Sequence, residues 1–283
     1  MHKTPCISQV DSYRSRPHRA RVVNISLFLW VIIVATNANA TEFVVVRTPG
    51  KITVGGDSKM LVFRESQKMQ VASNNMCKFK KSGELYWIAS GLLNLMFSPD
   101  VRAALNTKGE IKDRLHRAER VICDILNQHI PKIKRADPDF FFTISSQKRA
   151  VGTLAIFGVQ KERTFFYETQ FLCETKSSDS CTVIARHFLG CPDNCPSEFT
   201  TEVPISDDIE NYLTAHPKFL VQGRSAEQII RELLAIQYAA TPDAVGGPAN
   251  ILEVTASGHK WIDDKVKCED YWEDPNWDDK FPK

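Results

Sequence analysis

The residues best placed to do chemistry meet at one bond. Ala38-Asn39-Ala40 carries small residues at the spacing a signal peptidase accepts, and Thr41 follows directly. A cut after Ala40 would leave threonine with its hydroxyl and a free α-amine on the same residue. The hydroxyl alone is a weak nucleophile. The amine, with an unperturbed pKa of about 7.7–8.0, can take its proton. The chemistry this permits is acyl transfer, in which the hydroxyl attacks a carbonyl and an ester forms on the threonine. Such a site needs three kinds of help. A cation must depress the proton affinity of the amine, a carboxylate must hold that cation, and a backbone N–H must meet the oxyanion.

The segment before the bond has the layout of an export signal. Arg14, Arg16, Arg19 and Arg21 form a basic part, and an apolar run covers 22–35. That run is shorter than the ~20 residues of a spanning helix. An uncleaved membrane anchor is the alternative to cleavage. On the cleavage reading the membrane is met only through this segment, before it is cut. Residues 1–40 hold five of the 36 Lys/Arg and one of the 34 Asp/Glu, so 31 basic and 33 acidic residues remain. The exported part is slightly acidic, with no bias toward nucleic acid. It is long enough to bury a core as one domain.

The elements that must position Thr41 can be read in order. Residues 41–47 (TEFVVVR) read as a strand, Pro49-Gly50 as a turn, and 51–56 (KITVGG) as the returning strand, so Thr41 opens a hairpin and Asp57 ends it. Residues 84–89 (ELYWIA) form another strand, closed by Ser90-Gly91. Apolar positions at helical spacing mark a helical zone from about 99 to 129. Residues 140–144 (FFFTI), 152–159 and 164–172 then read as consecutive antiparallel strands. A cysteine-rich insertion covers about 173–205, and 207–215 reads as a short helix. Ser225 and Gln228 form a capping box that opens a helix with an apolar stripe of Ile229, Ile230, Leu233 and Leu234. Thr241-Pro242 stops it. Residues 250–255 and 259–262 give the last strands, and an acidic, aromatic tail spans 269–283. The order shows no βαβ alternation. Two packed antiparallel sheets with helices on their outer faces, an α+β fold, fit it better than a doubly wound parallel sheet.

The stretch from Thr41 to Asp57 (TEFVVVRTPGKITVGGD) resembles the start of a mature proteasome β-subunit, or of the peptidase subunit of the bacterial two-component ATP-dependent protease. In those families the nucleophilic threonine is followed sixteen residues later by an active-site aspartate, the position of Asp57. The Gly55-Gly56-Asp57-Ser58 run matches the same pattern. The resemblance implies a four-layer αββα sandwich of the N-terminal-nucleophile (Ntn) hydrolase kind. It also implies a lysine ahead of a strand ending in a small-residue turn. Lys78 fits best, with Lys68 as a second candidate because the stretch after Asp57 is about five residues longer than usual. Ser90 or Gly91 would supply the oxyanion amide. The family's later Asp-x-x-Ser-Gly motif maps onto 241–248 (TPDAVGGP), with Asp243 at the aspartate and Gly246 in place of the serine. A further family serine has no counterpart.

The function implied is an exported threonine-type hydrolase of peptide or other amide bonds, with no metal or organic cofactor. Its partners would be its substrate and, in the manner of the family, further copies of the chain. The rival is a non-catalytic binding or assembly module of the same fold. The histidines show no HExxH-like ligand spacing. Four cysteines cluster between 173 and 195, without the paired CxxC knuckles of a zinc site, and read as two disulfides of an exported protein. Seven cysteines follow Ala40, so one is expected to stay unpaired within the chain, with Cys123 on an apolar helical face as the buried candidate.

Overall fold

The computed structural model describes residues 43–64, 67–92, 98–146, 150–177, 180–191, 199–203, 206–221, 223–265 and 267–268. Thr41, the export segment and the tail lie outside the described residues. In chain order the first strands are β1 (Phe43–Thr48), β2 (Lys51–Gly56), β3 (Met60–Arg64), β4 (Gln67–Ser73), β5 (Phe79–Ser82) and β6 (Leu85–Gly91). Three helices follow: α1 (Pro99–Asn106), α2 (Ile111–Ala136) and α3 (Pro138–Ser146). Then come β7 (Ala150–Gln160), β8 (Arg163–Ser177), β9 (Ser180–Cys191) and β10 (Phe199–Val203). The chain continues through α4 (Asp207–Ala215), α5 (Ala226–Ala240), β11 (Asn250–Thr255) and β12 (Gly258–Asp263).

The strands form two five-stranded antiparallel sheets, ordered β10-β1-β2-β11-β12 and β5-β6-β7-β8-β9, with β3–β4 as a separate hairpin. The fold is α+β, as expected. The Pro49-Gly50 turn pairs β1 with β2 so that Phe43 faces Gly56 and Thr48 faces Lys51. Strand alternation then sends β1 side chains in two directions. Phe43 and Val45 join Ile52, Val54, Leu252 and Val254 in a cluster that also takes Phe79, Ile88, Phe157 and Phe166 from the other sheet. Val44 and Val46 instead meet Ile209, Ile229, Ile230, Leu233 and Leu234 of the late helices. A strand buried on both sides explains the unbroken apolar run 43–46.

The α5 capping box is present, and its apolar stripe is buried against β1 and β11. Each of those four aliphatic side chains contributes about 1.5–3 kcal/mol of burial. On the second sheet, Leu85, Trp87, Leu154, Ile156 and Phe171 pack with Leu115, Ile122 and Leu126 of α2. Arg114 locks that helix to the β5–β6 hairpin. It donates to Ser82 O at 3.1 Å, to Leu105 O at 2.7 Å and to Glu84.

Residues 140–144 are not a strand. They lie in α3, where Phe141 and Ile144 are buried one turn apart and Phe142 is 65% exposed. The local start signal outweighs the β-propensity of three phenylalanines. Pro138 opens the first turn, and Asp137 Oδ1 accepts the Phe140 N–H at 3.0 Å. The cysteine-rich stretch carries β9 and β10, and β10 pairs with β1.

Cys173 and Cys181 form a disulfide across the β8–β9 turn, and Cys77 pairs with Cys268 over a separation of 191 residues. Cys123 is not the free thiol expected. It is disulfide-bonded, as is Cys191, and no described cysteine is free. Disulfides fit an oxidising, exported setting. Among the described residues no helix is long and apolar enough to cross a membrane.

Candidate functional site

The sheets carry a buried ion pair at the ends of their strands. β2 ends at Gly56, and Asp57 follows it with 4% of its side chain exposed. Lys78 immediately precedes β5 and is fully buried, with Nζ donating to Asp57 Oδ1 at 2.6 Å. One partner leaves the first sheet and the other enters the second, so the bond spans the two. A buried lysine keeps its charge only where a carboxylate compensates it. Two backbone groups hold that carboxylate. The N–H of Lys59 and that of Gly246 donate to Asp57 Oδ2 at 3.1 and 3.2 Å. Of the two lysine candidates, Lys78 makes the Asp57 bond, whereas Lys68 lies within β4 of the separate hairpin. That hairpin accounts for the long stretch between Asp57 and Lys78.

The loop after α5 closes over this pair. Gly246 O accepts from Ser58 N–H and Lys59 N–H at 3.1 and 2.9 Å. Ser58 Oγ bonds Pro248 O at 2.7 Å and Asn74 O at 3.0 Å. Gly247 has φ +74°, and a Cβ there would lie 2.2 Å from Asn74 O. Only glycine fits that position. The position aligned with the family serine therefore reaches the site by its main chain. Asp243, in the same loop, is exposed, and Ala244 and Val245 are its buried neighbours.

Ser90 and Gly91 end β6. Phe79 pairs with Ile88, so Lys78 stands abreast of Ala89, the residue before Ser90, one position outside the ladder. Ser90 is buried and pairs with Thr153; Gly91 pairs with Gly152 at φ +87°. A Cβ on Gly91 would come within 2.4 Å of Val151 O. The strand can end there against β7 only because residue 91 lacks a side chain.

Several polar residues face the same gap, and all but Ser90 are ones that sequence reasoning missed. By strand alternation Ser90, Thr153, Glu168 and Asn250 point to the side of Ile88, Phe157, Phe166 and Leu252, between the sheets. Asn250 lies opposite Gly56, next to Asp57, and neither of its side-chain polar atoms has a partner. Thr153 Oγ1 and Glu168 Oε2 are likewise buried and unpaired. Burial pushes the Glu168 carboxyl up to about 8, against a bond from Gln170 that works in the opposite direction. Unsatisfied buried polar groups are costly and concentrate where a molecule does work. In sequence these residues sit inside ordinary strand patterns, and no spacing marks them.

The sequence matches no family model and no curated protein. The arrangement itself remains the guide. A buried ammonium is fixed by a carboxylate that is fixed by two main-chain N–H groups. It sits at the edge of two sheets, where β1 begins two residues after Thr41.

Proposed function

We propose that the chain is an exported N-terminal-threonine hydrolase of amide bonds, and that its two sheets and flanking helices are the inner and outer layers of an αββα Ntn-hydrolase sandwich. The observation that carries this reading is the buried Lys78–Asp57 ion pair. Lys78 keeps a full charge inside the protein, held by Asp57. Such a charge supplies a field able to tune a neighbouring amine. The first described residue of β1, Phe43, lies two positions after Thr41 in sequence and pairs with Gly56, the neighbour of Asp57, which supports this reading.

In this mechanism the Thr41 hydroxyl attacks the substrate carbonyl while the Thr41 α-amine takes its proton. The Lys78 charge lowers the proton affinity of that amine, so it is neutral and able to accept. Asp57 positions Lys78. Backbone N–H groups of the Ser90–Gly91 turn stabilise the oxyanion. Collapse of the tetrahedral intermediate breaks the amide C–N bond, and the proton leaves with the amine product. Water then attacks the ester on Thr41 and releases the acid. The Gly246 N–H steadies Asp57 from the loop after α5, and Asp243 of that loop is the carboxylate that the resemblance adds to the site. Peptides and other amides both suit this constellation. Further copies of the chain are the assembly partners that the family resemblance suggests.

The test is covalent labelling. A β-lactone probe should acylate the secreted protein once, and Thr41→Ala should abolish the label. A protein that begins at Thr41 yet resists the probe would be the non-catalytic module instead.

A further inference from the structure

A second cluster lies on the other side of the β5–β9 sheet, beneath α2. His116 and Glu119 are three residues apart on α2 and so share a face. His187 stands on β9, directly opposite Thr169 of β8. His116 Nδ1 is 2.9 Å from Glu119 Oε2, and His187 Nε2 is 2.9 and 3.1 Å from the two Glu119 oxygens. The imidazole rings stack with centroids 5.0 Å apart. The three ligand atoms lie within 4.8 Å of one another.

We infer that His116, Glu119 and His187 form a binding site for a divalent transition-metal ion of the zinc class, separate from the amide-hydrolase site. Two imidazole nitrogens and one carboxylate are the donor set of an open zinc site, with the fourth position left to solvent. The burial pattern suits this. Glu119 is 2% exposed, whereas the side chains of His116 and His187 are 37% and 36% exposed. The carboxylate forms the floor, and the imidazoles line the approach. Glu119 is also held from behind, because Thr169 Oγ1 donates to its Oε1 at 2.6 Å. An anchored carboxylate is what orients a metal ligand.

The frame is fixed at a second point. Asn127 of α2 clasps Val183 of β9, accepting its N–H at 2.8 Å and donating to its carbonyl at 3.3 Å. From Glu119 to Asn127 the helix rises about 12 Å. From His187 back to Val183 the strand runs about 13 Å. The two anchors match, so helix and strand hold the ligands at a set separation.

Zinc binding to the secreted, tag-free protein tests this. Equilibrium dialysis should give one Zn²⁺ per chain. Thr169→Val should weaken binding about 10–100-fold, and His116→Ala or His187→Ala should weaken it further. Both histidines are partly exposed, so these variants keep the core intact. In imidazole NMR, Zn²⁺ should shift His116 and His187 and leave His129, His216 and His259 unmoved. Absence of binding, binding unchanged in both histidine variants, or shifts confined to other histidines would overturn the site.

Discussion

Asp57 accepts one bond from an ammonium and two from main-chain N–H groups, with almost no solvent contact. Removing its carboxylate strips a fully buried lysine of its compensating charge. Asp57→Ala should therefore cost about 3–5 kcal/mol in urea unfolding. Adding Lys78→Met to that variant should return part of the loss. Both variants should lose activity, which separates the role of the pair in stability from its role in the site. Glu168 makes a second prediction at this scale. The folded carboxyl keeps its proton up to about pH 8, while in the unfolded chain it ionises near its ordinary 4.5. Between those values unfolding releases a proton, so stability falls as pH rises through this window and levels off above it. Glu168→Gln should remove that part of the decline, leaving the variant more stable than the parent near pH 8. Denaturant melts across the range would show it.

At the scale of elements, the loop after α5 holds Asp57 through a backbone N–H, that of Gly246. Gly247→Ala puts a Cβ against Asn74 O and an L-residue at a left-handed angle. It should cost at least about 1–2 kcal/mol and displace the neighbouring Gly246 N–H from Asp57. A fall in both melting temperature and probe labelling is the expected readout. The elements differ in how legibly they were written. The hairpin of β1 and β2, the capped α5 and β11 follow from turn residues, a capping box and unbroken apolar runs, and all are present. Helix α3 replaces the strand expected over 140–144, because the Asp137 cap and Pro138 start a helix that outweighs the β-propensity of three phenylalanines. Strand β3 is a short apolar run (MLVFR), and β4, β9 and β10 lie in polar or cysteine-rich stretches whose apolar alternation is weak, so pairing partners rather than local pattern define them.

For the molecule as a whole, the Cys77–Cys268 disulfide joins the residue before Lys78 to the segment following β12. It ties an edge of one sheet to the end of the other, next to the ion pair. Cys268→Ala should lower stability by about 2–5 kcal/mol and, by loosening Lys78, reduce labelling of Thr41 under conditions where the fold persists. Linear spacing carries no trace of this link, since its halves are far apart in the chain. The same holds for His116, Glu119 and His187, and for Asn250 beside Asp57. Residues brought together by sheet packing leave no periodic signal, and Asp57 and Lys78 stand out in the sequence only through the family resemblance of the stretch that begins at Thr41. The proposed nucleophile exists only if the Ala40–Thr41 bond is cut. Intact-mass analysis of the secreted protein tests it most directly. A mature chain beginning at Thr41 is the expected result, and a chain beginning at any other residue, or still carrying residues 1–40, would contradict it.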